Sequence, residues 1–360
     1  MPIVLHTESS RGYGGQEIRT VAEVRWLLAH GWDALIACQP NSPLFNEARR
    51  SALPVEALEM RGSVDLAAIL RLRKLMRNRP VSLVHTHSSV DSWLGSIAAK
   101  SLARPVVRTR HVSIPIRRTR ALVYRLADRI ITSAERVRSM VTAAGISPER
   151  VVTIPAGVDG ERFHPGVSGV GVRKELGLGE APVVGLVANV RGSKGHNVFL
   201  EAARTVIAAR PDARFLIVGD GVGFDEVSRR VRDMSLDHTI LLTGFRRDIP
   251  EVMAALDVLV LPSIRSEAIP QVIPQALAVG TPVVASTVGG SPELIRDGEN
   301  GRLVAPGDAR ALAEAILALL GDPVRARAMA LAGQVMVRER YTIDATMART
   351  TDVYRALLGP

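Results

Sequence analysis

The chain has 360 residues, 47% of them hydrophobic, with one cysteine and a formal net charge of +10. That length and apolar content suit two well-buried domains and exclude a disordered chain. A single cysteine excludes an internal disulfide framework and fits a reducing compartment. No apolar run reaches membrane-spanning length, and Met1 to His6 enter a strand pattern without a basic flank or cleavage site, so a cytoplasmic protein is expected.

Short apolar runs alternate with helical periodicity along the whole chain, the pattern of parallel sheets with crossover helices. In the first half the strands are predicted at Ile3–His6, Ala34–Cys38, Val55–Leu58, Leu83–Thr86, Val106–Thr109, Arg129–Thr132 and Val151–Ile154. Helices are predicted near Glu17–His30, Val64–Arg77, Asp91–Ser101, Thr119–Ala127 and Glu135–Ala144. Cys38 ends an apolar run and reads as a packed strand thiol.

Phe163 to Gly171 is glycine-rich and aperiodic, and reads as a linker. The domains are therefore expected at 1–165 and 166–339. In the second, strands are predicted at Val183–Ala188, Arg214–Val218, Ile240–Leu242, Val258–Leu261 and Pro282–Ala285. Helices are expected at Asn197–Ala209, Phe224–Met234, Ile249–Leu256, Pro270–Val279 and Ala309–Leu320. Two doubly wound halves imply a central cleft, with ligands beyond the carboxyl ends of the strands.

The positive excess lies wholly in residues 1–165, which hold 24 Lys and Arg against 14 Asp and Glu. Such a patch attracts nucleic acid, anionic lipid or an anionic small molecule. Few aromatics accompany the arginines and no nucleic-acid motif is present, so nucleic acid is not an expected partner. Basic runs at Arg71–Arg77 and Arg117–Arg120 are either a surface for an anionic membrane or ordinary solvated faces.

Each motif that can carry chemistry follows a predicted strand. Gly14 and Gly15 precede a helix and suit a backbone N–H nest for an anion; Glu17 fits either a ligand contact or a first-turn helix acid. Gly185 to His196 ends a strand in a short basic loop, where Arg191 and Lys194 suit a diphosphate. Gly219-Asp220-Gly221 permits close backbone approach to a nucleotide, with Thr243-Gly244-Phe245 after the next strand. Asp257 to Ile295 contains a buried strand, polar Ser263 to Glu267, and a helix opened by Pro270 whose N-terminus suits phosphate. His85 and His87 form a His-x-His pair that reads as structural or metal-binding, and His111 follows the next strand beside Arg108 and Arg110.

The run Glu267-Ala268-Ile269-Pro270, then Gln275-Ala276 and Gly280-x-Pro282-Val283-Val284, resembles the nucleotide-sugar signature of the family 4 retaining glycosyltransferases, E-G-x-P-x-x-x-x-E-A-x-A-x-G-x-P-V-V. Gly289 to Glu293 and Asp297 to Gly301 are similar to that family too. The resemblance implies a GT-B fold of two Rossmann-like domains and transfer from a nucleotide-diphosphate sugar, with a uridine diphosphate donor as the commonest case. It implies no permanently bound cofactor and no metal. It places Glu267 and His111 at the reacting sugar. Gly15, Arg191, Lys194, Gly219, Gly221, Phe245, Ala268, Ile269, Pro270, Gln271 and Gln275 would meet the donor, and Gly14, Glu17, Arg108 and Arg110 the acceptor.

The chain departs from the family pattern in three places. Ala268 replaces Gly. Gln275 replaces the second Glu, which normally accepts from the ribose hydroxyls; Gln keeps an acceptor and loses the charge. Asn189 stands where the family has Arg, with Arg191 two residues later. The expected acceptors are saccharides or lipid-linked sugars of the cell envelope, with the enzyme cytoplasmic or peripheral on the inner membrane face. Arg338 to Leu358 fits the helix that in this fold crosses back onto the first domain. A GT-B epimerase and a non-catalytic sugar- or nucleotide-binding protein are the alternatives.

Overall fold

The computed structural model describes residues 2–116, 118–265 and 268–359. The side chains of residues 118–120 also lie outside the description. The chain forms two compact units: residues 1–157 with 343–360, and residues 158–342.

The first unit holds a seven-stranded sheet: β1 (Ile3–Glu8), β2 (Asp33–Cys38), β3 (Val55–Ala57), β4 (Val81–Thr86), β5 (Val106–Arg110), β6 (Arg129–Thr132) and β7 (Val151–Thr153). Its order is β3-β2-β1-β4-β5-β6-β7, with every pair parallel. Parallel strands covered by helices on both faces must be apolar on both, which is why they read as continuous apolar runs. Leu5 packs in one buried cluster with Leu35 and Val84, and Val4 in another with Ile36 and Leu83.

The second unit repeats the plan with β8 (Val183–Val187), β9 (Arg214–Val218), β10 (Ile240–Gly244), β11 (Val258–Leu261), β12 (Val283–Ser286) and β13 (Arg302–Val304), in the order β10-β9-β8-β11-β12-β13. Val184 and Leu186 pack with Phe199 and Phe215 on one face, and Val183 and Val187 with Leu259 and Ile273 on the other. In both sheets the order reverses beside the first strand of the unit, β1 or β8. Loops leaving the carboxyl ends diverge there and open a crevice. This is the Rossmann-like arrangement expected of each GT-B domain.

Several predicted boundaries are corrected. The chain leaves the first unit after Gly157, not at 165, because Val158 and Phe163 are buried in the second core. The glycine-rich stretch is not a free linker. Val170–Glu175 is a short helix with Val172 buried, and Gly169 packs so tightly that a β-carbon there would lie 2.3 Å from Ala255 N.

The C-terminal stretch is two helices. Pro323–Arg340 stays in the second unit, and Ile343–Leu358 belongs to the first. The latter buries Met347 and Tyr354 against the first sheet. The helix expected from Pro270 begins at Val272: Gln271 is its cap residue, and Gln271 O accepts from Gln275 N at 3.1 Å. The helices Pro43–Arg50 and Pro323–Arg340 and strand β13 were not anticipated.

Candidate active site

In the first unit the site residues lie beyond the carboxyl ends of β1, β4 and β5. Gly14 caps the helix Gly15–Ala29, and its N–H donates to Glu17 Oε2 at 2.7 Å. Glu17 is buried and holds the glycine turn in shape, as a first-turn helix acid does. Gly15 begins the helix and is exposed.

Two acids that sequence reasoning missed organise this turn. Glu8 ends β1, fully buried, and accepts from Ser10 N at 2.8 Å and from Gln16 Nε2. Burial first, and then the Asp91 charge, push its carboxyl up to about 8. Asp91 accepts from His87 N at 2.9 Å, Ser88 N at 3.0 Å, Thr7 Oγ1 at 3.1 Å and Ser9 Oγ at 3.2 Å. This ties β1 to the start of the helix Ser89–Lys100. The available signal was Ser88 three residues before Asp91, a capping-box spacing.

The histidines form a buried array. His6 Nδ1 meets His87 Nε2 at 2.9 Å, and His87 Nδ1 meets His111 Nε2 at 3.2 Å. His85 is bonded at both ring nitrogens, to Tyr354 Oη and Thr109 Oγ1, each at 2.6 Å. Burial lowers all four imidazoles, His6 to about 3 and the others well below their ordinary value; neighbouring Arg19 adds to each. They are neutral at pH 7.

Ligand atoms of His6, Glu23, His85 and His87 lie within 4.8 Å of one another. Only His6 Nε2 and Glu23 Oε2 among them lack partners, and Glu23 is already paired with Arg19 at 2.6 Å. The cluster is therefore a hydrogen-bonded core network, with His111 as its half-buried end.

Arg108, Arg110 and His111 line a cavity of about 220 Å³ with Tyr124 and Trp93. Arg108 is buried, and its guanidinium lies 3.8 Å from the Tyr124 ring centroid. Arg110 donates to Tyr124 Oη and Ile114 O.

In the second unit four loops meet at the carboxyl ends of β8, β9, β10 and β11. Val190 N donates to Asp220 O at 2.9 Å, Gly219 N to Gly244 O at 2.9 Å, and Ile264 N to Ser193 O at 2.9 Å. The glycines are required for this closeness. Gly195 has φ 76°, and a β-carbon there would lie 1.9 Å from Pro262 O. Gly219, at φ 138°, would meet Ala188 O at 1.9 Å.

The packed loops present Lys194, half-buried, Arg191, exposed, and Phe245, 72% exposed. His196 begins the helix His196–Ala209, and burial, with the Lys194 charge beside it, lowers its imidazole to about 4. Ala268 O accepts from Gly290 N at 2.7 Å, which fixes Ala268 and Ile269 before the buried Pro270. Gln271 and Gln275 are half-buried, one turn apart. Glu267 lies outside the described residues.

The sequence comparisons agree with this geometry. The model for Glycosyltransferase Family 4 matches residues 13–162, and that for Glycosyl transferases group 1 matches residues 181–322. The lipopolysaccharide core biosynthesis mannosyltransferase LpsB of Rhizobium meliloti (strain 1021) is 30% identical, over 82% of this chain and 85% of its own. The UDP-Gal:alpha-D-GlcNAc-diphosphoundecaprenol alpha-1,3-galactosyltransferase of Escherichia coli is 28% identical, over 89% and 88%.

Among solved structures, Anabaena Alr3699/HepE in complex with UDP superposes with a TM-score of 0.90 at 23% identity, covering 99% of this chain and 100% of that one. No helix among the described residues is long and apolar enough to cross a membrane. On these matches the chain belongs to glycosyltransferase family 4, and it is a retaining GT-B enzyme that moves a sugar from a nucleotide-diphosphate donor to an acceptor hydroxyl.

Proposed function

We propose that residues 158–342 bind a uridine diphosphate sugar and that the first unit binds a saccharide or lipid-linked acceptor of the cell envelope. The observation that carries this reading is the glycine-packed loop cluster of the second unit. It sets Lys194 and Arg191 at the switch point, where a diphosphate needs cations and backbone N–H groups. Phe245 offers an exposed ring to the base, beside Gly219 and Gly221. Ala268, Ile269, Pro270 and Gln271 lead into the helix Val272–Val279, whose start favours phosphate. Gln275 accepts from the ribose in place of the family's glutamate. The Escherichia coli relative takes its name from UDP-Gal and the Anabaena structure holds UDP, which supports the choice of base.

In the reaction, the bond from the sugar's anomeric carbon to the β-phosphate oxygen breaks on the face where the acceptor oxygen bonds. The acceptor hydroxyl's proton passes to the departing phosphate. Lys194 and Arg191 neutralise the charge that develops there. Glu267 orients a sugar hydroxyl and favours positive charge at the reacting carbon. His111, held neutral, contributes a ring nitrogen to the same sugar. The glycine turn at Gly14 and Gly15, braced by Glu17, faces the acceptor side with Arg108 and Arg110.

Sugar transfer by Glu267→Gln and Lys194→Ala tests the site. Each is expected to lose about a hundredfold or more in kcat, the usual loss for an electrostatic contact made in the transition state. Wild-type turnover in both variants would overturn the assignment.

The reading extends to peripheral binding at an anionic membrane surface. The helix Leu66–Asn78 exposes Leu66 and Leu70 beside Arg71, Lys74 and Arg77. The second basic run, Arg117 to Arg120, lies outside the described side chains. Co-sedimentation with anionic but not neutral vesicles is the expected result, and equal recovery with both would refute it.

A further inference from the structure

We propose that Arg108 and Arg110 form a phosphate subsite, so that the acceptor carries a phosphate monoester or diphosphate next to the sugar that is extended. This deepens the reading above and rests on it. Arg108 is 6% exposed, yet its Nε and Nη1 are buried without a hydrogen-bond partner among the described residues. Its described contact is the Tyr124 ring face at 3.8 Å. A guanidinium carries five donors and stays charged, so burying it without an acceptor is costly.

Arg110 sits beside it, 5.7 Å from the same ring, and its Nε also lacks a partner among the described residues. Neither arginine has an ion pair among the described residues. The nearest acid that acts on Arg108 is Asp91, whose two oxygens are taken by Thr7, Ser9, His87 and Ser88. Two adjacent guanidiniums therefore face one cavity of about 220 Å³, and the one acid acting on Arg108 has its oxygens engaged elsewhere. A carboxylate would balance one of them. A phosphate, with more than one negative charge near pH 7 and three acceptor oxygens, balances both. Ser89 at the start of its helix and Trp93 also line the cavity, a polar edge and a flat apolar wall suited to the attached sugar.

The test uses the full-length enzyme with UDP present to occupy the donor site. All three tryptophans, Trp26, Trp32 and Trp93, lie in the first unit, and Trp93 lines the cavity. Tryptophan fluorescence therefore reads this subsite without reading the second unit. Inorganic phosphate and glucose 1-phosphate are expected to raise the first-unit melting temperature at constant ionic strength, and glucose is not. Arg108→Gln should weaken phosphate binding about tenfold to a hundredfold, the range for hydrogen bonds to a charged group. Arg108→Lys, which keeps the charge, should recover part of it.

Transfer to a soluble glycosyl phosphate, to a lipid-linked glycosyl diphosphate in vesicles, and to the matching methyl glycoside then identifies the phosphate's source. Preference for either phosphorylated acceptor, lost in Arg108→Gln, supports the subsite. Equal use of the methyl glycoside, or phosphate binding that Arg108→Gln leaves unchanged, overturns it. Failure of UDP to bind the wild-type enzyme would instead sink the donor assignment, which separates the two results.

Discussion

Lowering the pH from 7.5 to 5.5 should destabilise the first unit by about 3 kcal/mol. His6, His85, His87 and His111 are held neutral in the folded state, His6 with a value of about 3 and the rest well below the ordinary one. In the unfolded chain each titrates near 6.5. Below that pH the unfolded state binds protons that the folded state refuses, so stability falls as pH falls. Together the four histidines contribute a loss of about 5 kcal/mol across this interval.

Glu8 acts in the opposite sense. Its folded value, about 8, lies above the ordinary 4.5 of a free glutamate. The folded state therefore holds a proton that the unfolded state releases, and acidification returns about 2 kcal/mol. The net loss is about 3 kcal/mol, a large share of a typical domain's stability. Urea unfolding followed by tryptophan fluorescence measures it, because every tryptophan is in the first unit. Imidazole NMR over the same range should show His6, His85 and His87 silent. A first unit whose stability is flat or rises on acidification would refute the reasoning, as would His6 titrating near 6.5.

Three further outcomes are expected. Tyr354→Phe removes the partner of His85 Nδ1 in a fully buried site, and should cost the first unit about 1–3 kcal/mol by the same fluorescence assay; an unchanged midpoint would show that the hydroxyl does not anchor the last helix. Gly195→Ala forces a side chain into a left-handed conformation, with its β-carbon 1.9 Å from Pro262 O. It should cost the second unit more than about 2 kcal/mol in calorimetry and weaken UDP binding, and a wild-type profile would mean that the loop packing is wrong. Gln275→Glu should tighten UDP about fivefold by restoring a charged acceptor, and identical affinities would show that this residue does not meet the ribose.

Much of the fold was readable in one dimension. Strands such as β8 and β11 are apolar at every position because both faces are buried, and a run of that kind is visible without any partner. The glycines at 219 and 221 were legible as a nucleotide-type pattern. Their physical cause, a carbonyl within 1.9 to 2.6 Å of where a β-carbon would stand, was not. The helix Pro43–Arg50 was missed because its eight residues hold few apolar positions. Glycine density between 163 and 171 suggested a linker, whereas Gly169 is small because it packs against Ala255.

The sequence by itself determined the α/β class, the two GT-B domains and the family, because repeated apolar periods and a local signature need no knowledge of distant contacts. Only the tertiary structure decided where the chain leaves the first unit and returns to it, since burial of Phe163 in one core and Tyr354 in the other settles membership. It also decided which polar groups are buried together. His6 and His87 are 81 positions apart and His85 and Tyr354 are 269, and no local pattern encodes such pairs. Arg108 was legible as an acceptor contact through the family resemblance, but its burial was not. Only the fold shows that Arg108 is buried against the Tyr124 ring, with two guanidinium nitrogens unpartnered among the described residues.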